Sequence, residues 1–382
     1  MEFSLSEEQS LLKDSVQRYI QNSYSFEDRQ GLIRSEAGFS RETWKNFAEL
    51  GWLALPFSEE IGGFGGTAVE TMILMEEFGK GLVVEPYLSS IILAGSIIEK
   101  SESEVVRSNV LSAIMSGEKL AALAFVEPQA RFNLSDVETS GEESTDGFVL
   151  NGFKAVVIGG SSADYLVVPA RTSGSRVDED GITLFLVDSK ADGVSLRNYP
   201  TIDGHRASEI NFEKVSVESS HVIGEVGKGF SILEEAIERG IIAVGAEAVG
   251  AMEVLYKSTV DYCKTREQFG QPIGKFQVLQ HRMVDMFMEH EQSKSLLYMA
   301  AIKMSSADYL EKKRSISALK VQVGKSGRFV GQNAIQLHGG MGMTDELNIG
   351  HYFKRLTAIE TLFGNVDHHL KKYFLFQSHY SL

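Results

Sequence analysis

Cysteine is almost missing from this 382-residue chain, with Cys263 standing alone. A lone thiol cannot build an internal disulfide framework or a cysteine-rich metal site, and it suits a reducing compartment, so the cytoplasm is the expected address. Basic charge is also scarce: 37 Lys and Arg against 52 Asp and Glu leave a formal charge of −15. Nucleic acid and anionic membranes would be repelled by that excess, and the expected partners are small molecules and other subunits. No apolar run approaches about 18 uninterrupted residues, so no membrane crossing is expected. The opening Met1-Glu-Phe-Ser-Leu-Ser-Glu-Glu8 lacks the basic and apolar regions of a targeting segment. Neither a His-Glu-x-x-His spacing nor a Gly-x-Ser-x-Gly elbow occurs, which removes support for zinc hydrolysis and serine esterase chemistry. His368 and His369 are adjacent and would diverge by about 100° on a helix, so no metal site is expected.

What remains is an ordinary globular composition, 43% hydrophobic, long enough for two or three domains. Ser6 with Gln9 forms a capping-box pattern before Leu12, Val16 and Ile20, predicting an amphipathic helix. A second helix is expected from Ser40, with Trp44, Phe47 and Leu50 on one face and Gly51 as its stop. Gly62, Gly63, Gly65 and Gly66 around Phe64 predict a tight structural turn rather than a phosphate loop, since no strand precedes them and no Gly-Lys-Ser/Thr ending follows. A helix is expected next, over residues about 67 to 80.

Near residue 120 the period changes. Phe148 to Leu150, the Asn151-Gly152 dipeptide and Lys154 to Val157 predict a hairpin with a type I′ turn. Short strands are expected over Tyr165 to Pro169, Ile182 to Val187 and Ile210 to Phe212. Helical patterns return from Phe230: one over Ile232 to Tyr262, rich in small residues that permit close helix approach, then others over 277–304, 308–337 and 352–376. The fold class is therefore α+β, with an N-terminal helical domain (1–118), a middle antiparallel β domain (119–226) and a C-terminal four-helix bundle domain (227–382).

Taken singly, the chemical signals are modest. His338 ahead of Gly339-Gly340-Met341-Gly342 allows an anion-binding concavity of glycine amides or a plain helix cap. Arg266-Glu-Gln-Phe269-Gly270 sets a forked cation beside a ring, suited to a pyrophosphate or equally a surface arginine. In order along the chain, however, Glu127-Pro128, Asp203-Gly-His-Arg206-Ala-Ser208, Arg266-Glu-Gln-Phe269-Gly270, Phe276-Gln277 with Met283-Val-Asp285-Met286, and Gln336-Leu-His-Gly339-Gly-Met-Gly342 resemble the acyl-CoA dehydrogenase family over essentially the whole length.

The resemblance implies FAD as cofactor, an acyl-CoA thioester as substrate, and dimers, usually paired into tetramers, because the adenosine pyrophosphate reaches a neighbouring subunit. Arg266 and Phe269, with Phe276 beyond them, match the pyrophosphate side. Gln336, Gly339 and Gly340 match the stretch that receives the ADP part from the neighbouring subunit. Leu123, Phe125 and Val126 match the segment whose backbone meets the flavin ring, Val156 and Ile158 occupy positions that normally hold Trp and Thr at that ring, and Glu238 matches a position that binds the pantetheine arm. The departures matter as much. Gln129-Ala-Arg131-Phe132-Asn133 replaces a small Gly- and Ser-bearing turn, putting the bulky Phe132 near the thioester. The family's catalytic glutamate position is Phe363, before Gly364-Asn365, and the alternative position is Gly240, with Glu238 about 200° away around a helix. Glu360 would lie one turn before Phe363, about 4.5 Å along the axis.

A chain with neither base resembles the small subunit of a two-gene acyl-CoA dehydrogenase, in which a homologous partner supplies the glutamate of an α2β2 heterotetramer. A flavin-dependent monooxygenase of the same fold and a non-catalytic FAD- or partner-binding subunit are the alternatives.

Overall fold

The computed structural model describes residues 5–378; the first four residues of the acidic N-terminal segment lie outside the described residues. By its internal packing the chain divides into two units, one of Met1–Gln30, Ala68–Val83 and Ile241–Leu382, the other of Gly31–Thr67 and Val84–Gly240.

The first unit is helical. Its opening helix, Glu7–Ser23, carries the expected capping box: Gln9 N donates to Ser6 Oγ at 3.1 Å and Ser6 N donates to Gln9 Oε1 at 3.0 Å, while Val16 and Ile20 face inward. Helices Ala68–Gly81, Phe230–Thr265 (from residue 241), Gln277–Lys303 and Tyr309–His338 form the body of the unit. Small residues set how closely two of them approach. A Cβ on Gly79 would overlap the carbonyl of Glu247, and one on Gly250 would overlap the carbonyl of Glu76. Backbone therefore rests on backbone where these helices cross, as the glycine- and alanine-rich sequence anticipates. A buried fork joins the next layer, with Arg355 Nη2 donating to Glu247 Oε2 at 2.7 Å.

One expectation fails here. The helix predicted over 352–376 is two helices, Asn348–Thr361 and Val366–Ser378. Between them Phe363 and Gly364 adopt φ of +58° and +112°, left-handed values that a continuous helix cannot contain. No proline marks the break because side chains, not a missing N–H, stabilise it.

The second unit is built on a sheet. Strands β1 (Ala121–Leu123), β2 (Ser140–Ser144), β3 (Gly147–Ile158), β4 (Tyr165–Arg171), β5 (Ile182–Asp188), β6 (Val194–Pro200), β7 (Arg206–Glu218) and β8 (Val222–Ile223) lie in the order β6-β7-β3-β2-β4-β5-β8, with β1 added parallel beside β4. The long ladders, β3 with β7, β4 with β5 and β6 with β7, are antiparallel. Phe148, Leu150, Val157, Leu166, Phe185, Ile210 and Phe212 form its core. In the same unit the helix Arg41–Glu49 buries Trp44 and Phe47, but Leu50 falls at its C-cap and is 45% exposed rather than sharing their face. The glycine turn after it is structural, since a Cβ on Gly66 would lie 2.6 Å from Leu55 O.

The Asn151-Gly152 hairpin is also corrected. β3 runs straight through both residues, and the reversal occurs at Thr145-Asp146, where Ser144 pairs with Gly147. Asn151 instead lies opposite a bulge in β7, where Glu213 and Lys214 face it together and Lys214 takes φ of +53°. Asn151 Oδ1 accepts from Lys214 N at 2.9 Å, and Gly152 leaves room for Thr139, whose Cα would stand 2.7 Å from any added Cβ. Asn-Gly thus serves here through a side-chain acceptor and the absence of a side chain rather than as a turn, so the dipeptide alone does not distinguish turn from bulge.

Candidate functional site

Within the sheet unit, one segment and one strand are fastened together. Leu123 is buried in β1, and Ala124 N donates to Val167 O at 2.8 Å. Phe125 and Val126 follow, half-buried, and Val126 O accepts from Ala155 N of β3 at 2.8 Å. The next residue, Glu127, is 2% exposed and meets Lys154 of β3, whose side chain is wholly buried, at 2.6 Å. Lys154 Nζ also donates to Pro169 O at 2.8 Å. Glu127 accepts further from Thr139 N, Thr139 Oγ1, Glu138 N and Gln129 Nε2 at 2.6 to 3.1 Å. Burial alone would raise its pKa, but Lys154 and these donors outweigh it and hold the carboxyl well below the usual range.

Strand alternation then decides what β3 shows outside. Val157 points into the core, so Val156 and Ile158 lie on the other face, Val156 being 39% exposed. Ile158 borders a small depression with Phe39, Pro86, Ser89, His205 and Arg206. Arg206 secures that edge by donating from Nη2 to Ile33 O at 2.9 Å and Ser35 O at 2.6 Å. Phe132 is half-buried beside Arg131, which takes φ of +50° although it carries a long side chain. The left-handed backbone there is of the kind that favours glycine, although arginine occupies it. Glu238 and Gly240 are buried on the Phe230–Thr265 helix.

The helical unit brings the two candidate anion-binding stretches to one end. Phe269 and Gly270 both have positive φ and join Glu267–Gln268 to Gln271–Pro272 as a tight hairpin with the signature of a type I′ turn. Arg266 is exposed at its base, Arg266 N donating to Tyr262 O at 2.8 Å. Phe269 is 92% exposed, touching the half-buried Phe276 edge to face at 6.2 Å. Tyr262 in turn stacks on His338 at 4.4 Å between ring centroids. Directly after His338 come the exposed Gly339 and Gly340, at both of which an added Cβ would meet open space, and Gly339 N caps the helix by donating to Gln336 O. Gln336 is exposed beside them. Arginine, ring and bare glycine amides thus share one end of the unit, an arrangement suited to an anion joined to an aromatic group.

Phe363, the position that the resemblance assigns to the family's base, lies in the loop between Asn348–Thr361 and Val366–Ser378. Phe363 is half-buried there. His369 Nε2 donates to Phe363 O at 3.0 Å, which fixes the proton on that nitrogen. Lys320, in the facing helix Tyr309–His338 and 1% exposed, donates to Ile359 O at 3.0 Å, Glu360 O at 2.9 Å and Gly364 O at 2.7 Å. Burial draws the Lys320 ammonium down to about 8 and, with smaller repulsions from neighbouring cations, the His369 imidazole to about 3. Glu360 sits in the helix before the break and lies against the Tyr309–His338 helix, its Cγ 3.4 Å from where a Cβ on Gly324 would be. The break ends the simple one-turn relation between Glu360 and Phe363.

Sequence reasoning missed Lys154, Lys320 and His369. For the two lysines the available signal was a lysine inside a largely apolar or small-residue run, Phe153-Lys-Ala-Val-Val157 and Ser315-Ile-Ser-Ala-Leu-Lys-Val321. Among the described residues no cluster of His, Cys, Asp and Glu is arranged to hold a metal ion, and no helix is long and apolar enough to cross a membrane.

Three family models match in series: acyl-CoA dehydrogenase, N-terminal domain, over residues 6–118, the middle domain over 122–215 and the C-terminal domain over 227–372. The short-chain-specific acyl-CoA dehydrogenase of Clostridium acetobutylicum is 30% identical over 376 residues, spanning 96% of this chain and 97% of that protein. The acryloyl-CoA reductase (NADH) of Anaerotignum propionicum is 29% identical over 375 residues, spanning 97% and 94%. The solved structure of PigA with FAD and proline aligns at a TM-score of 0.92 with 26% identity over 99% of each chain. Helical, β and helical parts in that order, the matched models along nearly the full length, and a relative at this identity and coverage place the chain in the acyl-CoA dehydrogenase family.

Proposed function

We propose that this protein is an FAD-dependent subunit for α,β-desaturation of an acyl-CoA thioester, and that a homologous partner subunit contributes the proton acceptor. The ADP end of FAD fits the residues present: Arg266 supplies a charge-assisted contact to pyrophosphate, Phe269 an exposed ring, and Gly339 and Gly340 amides without side-chain obstruction. Bound FAD would supply the hydride acceptor for the β-carbon. The chain's own part near that ring is to hold backbone: Lys154 and Glu127 keep Phe125 and Val126 against β3, while Val156 and Ile158 offer no hydroxyl.

The observation that carries the subunit reading is Phe363. Desaturation requires a carboxylate to take the α-proton, and phenylalanine cannot. Gly240 is equally mute, and Glu360 is turned toward the Tyr309–His338 helix. The expected behaviour is no useful flavin bleaching by saturated acyl-CoAs under anaerobic conditions with the chain alone, and bleaching once it is co-expressed with a homologous subunit, with native mass measurement giving the stoichiometry. Loss of a general base removes roughly two to four powers of ten in rate. Rapid bleaching by the chain alone, abolished in Glu360→Gln, would sink the partner-subunit reading and make Glu360 the base.

A flavin monooxygenase also needs no carboxylate there. Oxygen- and NADH-dependent turnover with a flavin reductase, without any acyl-CoA bleaching, would favour that second reading.

A further inference from the structure

Lys320 makes contacts that are more specific than burial requires. An ammonium group has three N–H donors, and the three carbonyls it meets, Ile359, Glu360 and Gly364, lie on both sides of the helix break. The first two belong to the last turn of Asn348–Thr361, where orphan carbonyls and the negative end of the helix favour a cation. The third lies past the break, so one side chain joins the helix end to the loop. The loop is pinned at its other points as well. His369 Nε2 holds Phe363 O, Asn365 Oδ1 accepts from His368 N at 3.0 Å, and Gly364 leaves no room for a side chain, a Cβ there lying 2.6 Å from His368 Cδ2. Residue 363 is thereby held at φ of +58°, a value costly for phenylalanine unless the surroundings impose it.

We propose that Lys320 is a positioning residue whose ammonium, together with His369, clamps the 362–365 loop and presents the side chain at 363 in one fixed orientation. What that side chain faces follows from the function proposed above; the clamp itself does not. The seat is kept although its occupant is an apolar ring, so the same backbone should present a carboxylate if one is introduced. In Phe363→Glu the new carboxylate would take the α-proton, with bound FAD supplying the acceptor for the β-hydride. One C=C bond forms, the thioester loses two electrons and the flavin gains them.

The test uses the full chain and its Lys320→Met variant, with hydrogen exchange followed peptide by peptide. Peptides covering 362–369 should lose protection by about tenfold or more, the scale of losing hydrogen bonds from a charged donor, while peptides from the rest of the Tyr309–His338 helix keep theirs. In the Phe363→Glu background, adding Lys320→Met should slow anaerobic flavin bleaching by a similar factor at saturating acyl-CoA, with KM and flavin content unchanged. Unaltered protection at 362–369, or protection lost evenly along the Tyr309–His338 helix, overturns the positioning role. If Phe363→Glu never bleaches its flavin yet loop protection still depends on Lys320, the clamp stands and the desaturation reading fails. Should Lys320→Met not fold, Lys320→Gln carries the same comparison.

Discussion

Replacing Lys154 by methionine would remove one ammonium and leave Glu127 as a carboxylate 2% exposed. Breaking a buried pair by removing one partner costs about 3 to 5 kcal/mol, because the remaining charge stays out of water. Here the lower end applies, since Glu127 keeps Thr139 N, Thr139 Oγ1, Glu138 N and Gln129 Nε2 as donors. Pro169 O loses its Lys154 donor as well. About 3 kcal/mol at pH 7 is therefore expected, read as a lower urea midpoint at unchanged slope. The pH dependence gives a second check. Glu127 is depressed in the fold, so its contribution is present above its ordinary pKa and is lost as pH falls below it. Without Lys154 the carboxyl protonates more readily, and the gap between variant and native chain should narrow from pH 7 toward pH 4. A Lys154→Met midpoint within about 0.5 kcal/mol of native at pH 7, the spread of ordinary surface changes, would refute the account.

Arg266→Ala should weaken FAD retention by about 1.5 to 3 kcal/mol, the worth of a hydrogen bond to a charged group; flavin occupancy that does not differ from native across a dilution series would count against it. Acid should destabilise the helical unit before carboxylates titrate. His369 is neutral in the fold, with its pKa drawn to about 3, so its contribution is complete above about 6.5 and declines as pH falls. The loss from this residue should reach roughly 2 kcal/mol by pH 5, and a urea midpoint that is flat between pH 7 and pH 5 would show that His369 takes up its proton as readily in the folded chain as in the unfolded one, refuting the depression.

The parts legible in sequence were those set by local chemistry. Ser6 and Gln9 cap their helix because they are three residues apart, and the order of motifs pointed to the family that the models and relatives then showed. What was illegible depends on residues far apart in the chain. The break at Phe363 is stabilised by Lys320, 44 residues before Gly364, and its one local sign, Gly364-Asn365, is overridden in the sequence by the apolar period running through it. Lys154 reaches Glu127 across 27 residues. Strand β6 was missed because its pattern is that of an exposed edge, with no apolar alternation strong enough to mark it. The type I′ signature was sought at Asn151-Gly152 and lies instead at Phe269-Gly270, where the first residue gives no hint of it.

The Phe269 turn has a consequence for how this chain meets other molecules. A two-residue turn with both φ angles positive has little conformational freedom to lose, and the ring it carries already stands clear of the surface. Whatever covers that ring gains apolar contact without first having to order the segment that offers it, so less of the contact energy at this end is spent on ordering. The same exposure works against the bare chain: a ring that touches its own protein only at the edge of Phe276 remains available to any apolar surface that arrives first.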